Sequence, residues 1–163
     1  MTHALMVDCV RLQAGSIDRI QVQRQWVLDD AGVHGAQVAD GVVDVDLEVT
    51  AAGSSFVAAG RVTGEWAAEC RRCLEEVRGR IDTALREVFE WEPAEGETWP
   101  IVDQRIDLGP AVRETAILAL PMAPLCSVDC AGPVPDRFPT GPAAADAGGR
   151  LAAREARPGA GDV

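Results

Sequence analysis

Four of the five cysteines in this chain come as two close pairs. Cys70 and Cys73 have a C-x2-C spacing, and Cys126 and Cys130 a C-x3-C spacing. Either spacing lets two thiolates reach one tetrahedral ion at about 2.3 Å per bond. The chain between the pairs is long enough for a fold to bring them together. Four thiolates would close the coordination shell and leave no position for water, so the ion implied is a structural zinc rather than a catalytic one. Two other readings of the same residues stay open. The pairs are unconnected reduced thiols, or they form a redox switch in which oxidation of the C-x2-C pair releases the metal. Arg71 and Arg72 favour thiolate and offset the charge of a four-thiolate site; equally, they make an ordinary solvated basic turn beside Glu75 and Glu76. Cys9 stands alone and reads as a small buried side chain. His3 and His34 read as surface residues. The chain carries no nucleophile elbow, phosphate-binding glycine loop or HExxH pair, so no enzyme is expected.

The chain has 163 residues, 47% of them apolar, which is enough for a core and fits one compact domain. Its formal net charge is −11, and all its basic side chains are arginine. Proteins that grip nucleic acid by its phosphates are usually basic, because counterion release supplies much of the affinity. The charge therefore argues against simple coating of RNA or DNA. It fits a basic protein partner, or a local arginine patch on an acidic body. Arg71, Arg72, Arg78 and Arg80, with Arg86 beyond them, are the candidates for such a patch. Alternation with Glu75, Glu76 and Asp82 would make them ordinary surface pairs instead. The N-terminus has no signal-peptide pattern, and no run approaches the roughly 20 apolar residues that cross a bilayer. A cytoplasmic protein with reduced thiols is expected.

The elements that must hold these cysteines are legible in part. Val43, Val45, Leu47 and Val49 alternate with Asp44, Asp46, Glu48 and Thr50, the period of a half-buried strand. Phe56 to Cys70 continues the pattern with Ala58, Gly60, Val62, Gly64, Trp66 and Ala68 on one face, and the two segments read as an antiparallel hairpin. Val77 to Phe89 has strand spacing and Ile81 to Trp91 has helix spacing; Gly79 and the β-branched residues favour strand. Between Glu87 and Asp103 lie six acidic residues and no basic one, broken by Pro93, Gly96 and Pro100, so a solvated acidic loop is expected there. Docking of a basic partner is the functional alternative. Asp107 to Leu120 reads as a helix capped by Asp107, with Pro110 in its first turn and Pro121 at its end. Beyond Pro133 the chain lacks the apolar content to offset its entropy, and 139–163 reads as a disordered tail after a single domain spanning 1–138.

The segment Gly64 to Val77, GEWAAECRRCLEEV, resembles the C-x-R-C-L-E-x-V signature of the YceD-type family, the large ribosomal RNA subunit accumulation proteins. Cys70, Arg72, Cys73, Leu74 and Glu75 match it. The segment Ile106 to Gly132 is similar to the family's second block, with Pro121, Leu125, Cys126, Cys130 and Gly132 in place. Many relatives continue with two further cysteines; Val134 and Arg137 stand at those positions here. The resemblance implies a non-enzymatic role in synthesis, processing or accumulation of large-subunit (23S) ribosomal RNA. It also implies ribosomal RNA or a basic ribosomal protein as partner, with no membrane and no small-molecule substrate. The expected fold is α+β: a mainly antiparallel β-sheet, barrel-like if it closes, with one helix on the C-terminal side and a site formed by Cys70, Cys73, Cys126 and Cys130.

Overall fold

The computed structural model describes residues 5–133. The expected tail at 139–163, the domain end at 138, Val134, Arg137 and His3 lie outside them. The described chain runs β1 (Met6–Asp8), α1 (Val10–Gln13), β2 (Arg19–Val27), β3 (Gly32–Val33), β4 (Ala36–Ala52), β5 (Ser55–Glu69), β6 (Glu76–Glu90), β7 (Trp99–Val102), β8 (Arg105–Asp107) and α2 (Gly109–Leu118). The strands form one sheet in the order β1-β8-β7-β6-β5-β4-β2, with β3 paired to β4 off that path. It curls as a half-barrel.

Three long strands, β4, β5 and β6, carry the sheet, and each exists for the reason its alternation suggests. On β4 the side chains of Val43, Val45, Leu47 and Val49 are buried, while Asp44, Asp46 and Glu48 face outward. On β5, Phe56, Ala58, Val62 and Ala68 are buried, and on β6, Ile81, Leu85 and Phe89. Burial of this face is the main stabilising term, at about 25 cal/mol per Å² of apolar surface. The small residues of β5 permit close approach. Trp66 lies over Gly79 of the neighbouring strand, where a Cβ would meet the indole ring at 2.4 Å.

The sheet is mixed, which corrects the expectation of a mainly antiparallel one: β7 runs parallel to β6, with Phe89 opposite Trp99 and Glu90 opposite Pro100. The segment expected to be an irregular acidic loop therefore contains a strand. Proline is tolerated there because β7 is only four residues long and its pairing is brief. The sheet also bends within β4, where the register shifts between Val38 and Val43 and both Asp40 and Gly41 have positive φ.

Helix α2 packs on β4, β5 and β6 through Ala111, Val112 and Ala116, all buried. It is shorter than the expected Asp107–Leu120. The N-cap residue is Leu108 rather than the expected Asp107, and it makes no side-chain cap; Asp107, one residue earlier, accepts a hydrogen bond at Oδ1 from the Gly109 amide at 2.9 Å. On the outer face of the sheet the charges pair across strands. Arg19 meets Glu48 at 2.8 Å, Gln21 meets Asp46 at 2.7 Å, and Arg61 meets Asp82. Such exposed pairs contribute at most about 1 kcal/mol each. No helix among the described residues is long and apolar enough to cross a membrane.

Candidate metal centre

The first cysteine pair occupies the turn that joins β5 to β6. Its backbone is closed by two hydrogen bonds, from the Cys70 amide to the Glu75 carbonyl at 2.8 Å and from the Leu74 amide to the Cys70 carbonyl at 2.9 Å. Leu74 sits in the left-handed region at φ 64°, a conformation costing about 1–3 kcal/mol for such a side chain. The turn around it has to hold that strain.

The second pair follows α2. Leu120 is buried, Pro121 ends the helical run, and the chain turns back over the β5–β6 turn. Two arginines fasten it. The Arg71 amide donates to the Pro124 carbonyl at 3.0 Å. The Arg72 guanidinium donates from one nitrogen to the carbonyls of Val128, at 3.2 Å, and Cys130, at 2.9 Å. Arg72 therefore clamps the loop that carries Cys126 and Cys130.

The result is a quartet of sulfurs. All four Sγ atoms lie within 4.8 Å of one another; Cys70 to Cys130 is 3.8 Å and Cys73 to Cys126 is 3.6 Å. A tetrahedron of four sulfurs with metal–sulfur bonds of about 2.3 Å has edges of about 3.8 Å, so the spacing fits such an ion. Among the described residues no cysteine is in a disulfide. Cys70 and Cys130 are buried, Cys73 is half-buried and Cys126 is exposed, so the quartet is sealed on the sheet side and reachable at one corner.

The thiols do not titrate alike. The main-chain amides of Cys73 and Cys126 pull Cys70 down to about 6. Contact with the sulfurs of Cys130 and Cys73 pushes Cys126 up to about 12. Cys73 is pulled down by the Glu75 amide, but burial and the Cys70 and Cys130 thiols outweigh it and its net direction is up. Four thiols in this space cannot all ionise without a compensating charge. A divalent cation is the group that would supply it. Cys9 lies apart, buried, and burial beside Asp8 raises it to about 11.

The arginines expected to form an open basic patch are placed differently from one another. Arg71 and Arg72 hold the second cysteine loop. Arg78 pairs with Glu76 at 2.5 Å. Arg80 is exposed opposite Glu65 on β5. The clamp made by Arg72 was not read from the sequence; its place inside the matched C-x-R-C-L-E motif was the available signal. Nothing in the sequence pointed to a second feature, an apolar groove beside α2 lined by Trp26 of β2 and Trp99 of β7.

Comparison with known proteins adds a family and several relatives. The family model described as "Large ribosomal RNA subunit accumulation protein YceD" matches residues 58–146, which takes in most of β5, all of β6 and α2, and both cysteine pairs. An uncharacterized protein of Mycobacterium tuberculosis is 35% identical over 101 residues, covering 58% of this chain and 49% of the relative. One from Mycobacterium bovis matches to the same extent. An uncharacterized protein of Mycobacterium leprae is 31% identical over 97 residues, covering 55% of this chain and 45% of its own length. The chain thus spans about half the length of the curated relatives it matches. No solved structure matches it.

Proposed function

This chain belongs to the family of large ribosomal RNA subunit accumulation proteins of the YceD type, and on that premise we propose that it is a non-enzymatic assembly factor. It supports the synthesis, processing or accumulation of large-subunit (23S) ribosomal RNA in the cytosol, and its four cysteines hold one structural zinc ion. The observation that carries the zinc assignment is the sulfur quartet, whose edges of 3.6 and 3.8 Å suit a closed tetrahedral shell. A closed shell offers no open position for substrate or water, which supports a fastening role for the metal. When bound, the ion supplies charge neutralisation and a rigid link; Cys70, Cys73, Cys126 and Cys130 hold it.

A protein partner is favoured over direct binding of RNA. Of the four candidate arginines, the guanidinium groups of Arg72 and Arg78 have partners within the chain and that of Arg71 reaches the Met122 carbonyl at 3.5 Å, and the net charge is −11. The family-level role is tested by removing the protein from its host and measuring the ratio of large- to small-subunit ribosomal RNA. The ratio should fall and should recover with the wild-type chain; an unchanged ratio would sink the proposal. A redox-sensor reading is favoured by one observation, the lowered Cys70 thiol. It requires rapid alkylation of Cys70 or Cys73. Slow alkylation that quickens after chelation supports structural zinc instead.

The arginine clamp gives a sharper prediction. Arg72→Ala removes the one guanidinium nitrogen that donates to both the Val128 and Cys130 carbonyls. Partners that orient ligands are typically worth about 10–100-fold in metal affinity. Arg72→Ala should therefore weaken zinc binding by at least tenfold in a competition titration with a chromophoric chelator. A change under twofold would mean that the loop is held without Arg72.

A further inference from the structure

Beside α2 an open groove of about 690 Å³ has an apolar floor and an acidic rim. Its floor is made by Trp26 of β2, Trp99 of β7 and Ile117 of α2. Gly109 lets the start of the helix sit against Trp26: a Cβ there would lie 2.9 Å from the indole. At the lip, Leu118 is 77% exposed, a large apolar side chain left bare in the isolated protein. The Trp99 ring is oriented by its own hydrogen bond, from the indole N–H to Glu87 Oε2 at 2.9 Å.

A second depression of about 390 Å³ adjoins the groove, sharing Trp99 and Glu114 and adding Glu87 and Glu97. Four carboxylates, counting Asp107, therefore border one apolar surface. Neither Glu97 nor Glu114 has an ion-pair partner among the described residues. The one basic side chain of the lining, Arg113, is turned to the carbonyls of Asp29 and Asp30, at 3.4 and 2.9 Å. The carboxylates do not converge on a point: among the described residues the cysteine quartet is the only cluster arranged to hold a metal ion. An ion is thus not the occupant, and phosphate-bearing partners would be repelled.

We propose that this groove docks a basic segment of a partner protein, which lays an apolar side chain on Trp26 and Ile117 and sets an arginine or lysine beside Trp99 among Glu87, Glu97 and Glu114. A cation there meets both uncompensated carboxylates and the face of a held aromatic ring. The apolar floor supplies contact area that a diffuse acidic surface lacks. The partner class rests on the assembly role proposed above, whereas binding is measured on purified protein, so either can fail alone.

The test uses the full chain and two synthetic ten-residue peptides, one alternating arginine and leucine, the other with serine in place of leucine. Calorimetry at two salt concentrations should show the arginine–leucine peptide binding at least tenfold more tightly than the serine peptide, and weakening with salt. Glu97→Gln/Glu114→Gln should reduce its affinity at least tenfold. Glu92→Gln/Glu95→Gln removes the same charge from outside the groove and should change affinity less than twofold. Equal losses in the two variants would mean diffuse attraction to an acidic protein and would overturn the proposal. So would equal binding of both peptides. A third arm concerns residues 1–4, which precede Leu5, whose carbonyl accepts the Leu108 amide next to Gly109. If deleting them tightened binding of both peptides alike by tenfold or more, the groove would belong to the chain's own N-terminus, and the proposal would fall.

Discussion

Cys70→Ser/Cys73→Ser should yield a protein without zinc whose stability is lower by about 4 kcal/mol. Structural zinc is worth about 10–16 kcal/mol in peptides that cannot fold without it. The effect here is smaller because the sheet and α2 have their own core, from Val43 and Leu47 to Ile81, Phe89 and Val112. What is lost is the link between the β5–β6 turn and the chain after α2, together with the strained conformation of Leu74 that the link supports. At roughly 2–4 °C per kcal/mol for a chain of this size, the thermal midpoint should drop by about 10 °C. Chelation of the wild type should reproduce the drop, and the double variant should not respond to chelator. A variant as stable as the wild type, or a wild type without one equivalent of zinc, would remove the metal from the account. Acid should act in the same direction. In the metal-free protein the Cys70 thiol is lowered to about 6 by the Cys73 and Cys126 amides, so its folded-state value lies below the unfolded one. Its stabilising contribution is full above the unfolded value, about 8.5 for a free thiol, and is lost as pH falls through 6.

Gly60→Ala should be the most damaging small substitution in the sheet, costing about 3 kcal/mol by forced overpacking. Gly60 sits in the central strand β5, opposite Leu47 of β4 and Leu85 of β6. A Cβ at that position would lie 2.1 Å from the Asp46 carbonyl oxygen and 2.9 Å from the Leu47 Cα. Both are backbone atoms, and neither can swing away as a side chain can. Because β5 is paired on both sides, moving it would disturb two ladders. Urea denaturation should show the loss as a lower midpoint with little change in slope. A midpoint within about 1 kcal/mol of the wild type would mean that the strand has slack these contacts do not reveal.

How far the fold could be read in advance depended on where each element's stabilisation comes from. Strands β4 and β5 carry their burial in a period of two, so the residues alone disclosed them. For β6 the helix spacing of Ala84, Leu85, Val88 and Phe89 competed, and pairing with β5 decides for strand. Strand β7 was hidden, because four residues containing Pro100 carry too little pattern; its conformation comes from lying beside Phe89 and Glu90, a tertiary cause. The short helix α1 was hidden for the same reason. At the site, cysteine spacing was sufficient to anticipate four sulfurs in one place, since the chemistry lies in the residue types. The roles of Arg71 and Arg72 were not, because an arginine reaching a carbonyl across the fold looks like any other arginine in sequence. The groove was invisible, as Trp26 and Trp99 meet only through the folded sheet.

The sulfur quartet also imposes an order of events on synthesis. Cys70 and Cys130 stand 60 positions apart, and β6, β7, β8 and α2 all lie between them. A ribosome making this chain releases the first pair well before the second, so for that interval two thiolates have no partners. Closure has to wait until the intervening strands and helix have emerged and docked, with a loop-closure cost that grows only slowly with length. The clasp is thus a completion signal: a nascent chain stalled before Cys126 can hold most of its sheet and still cannot lock.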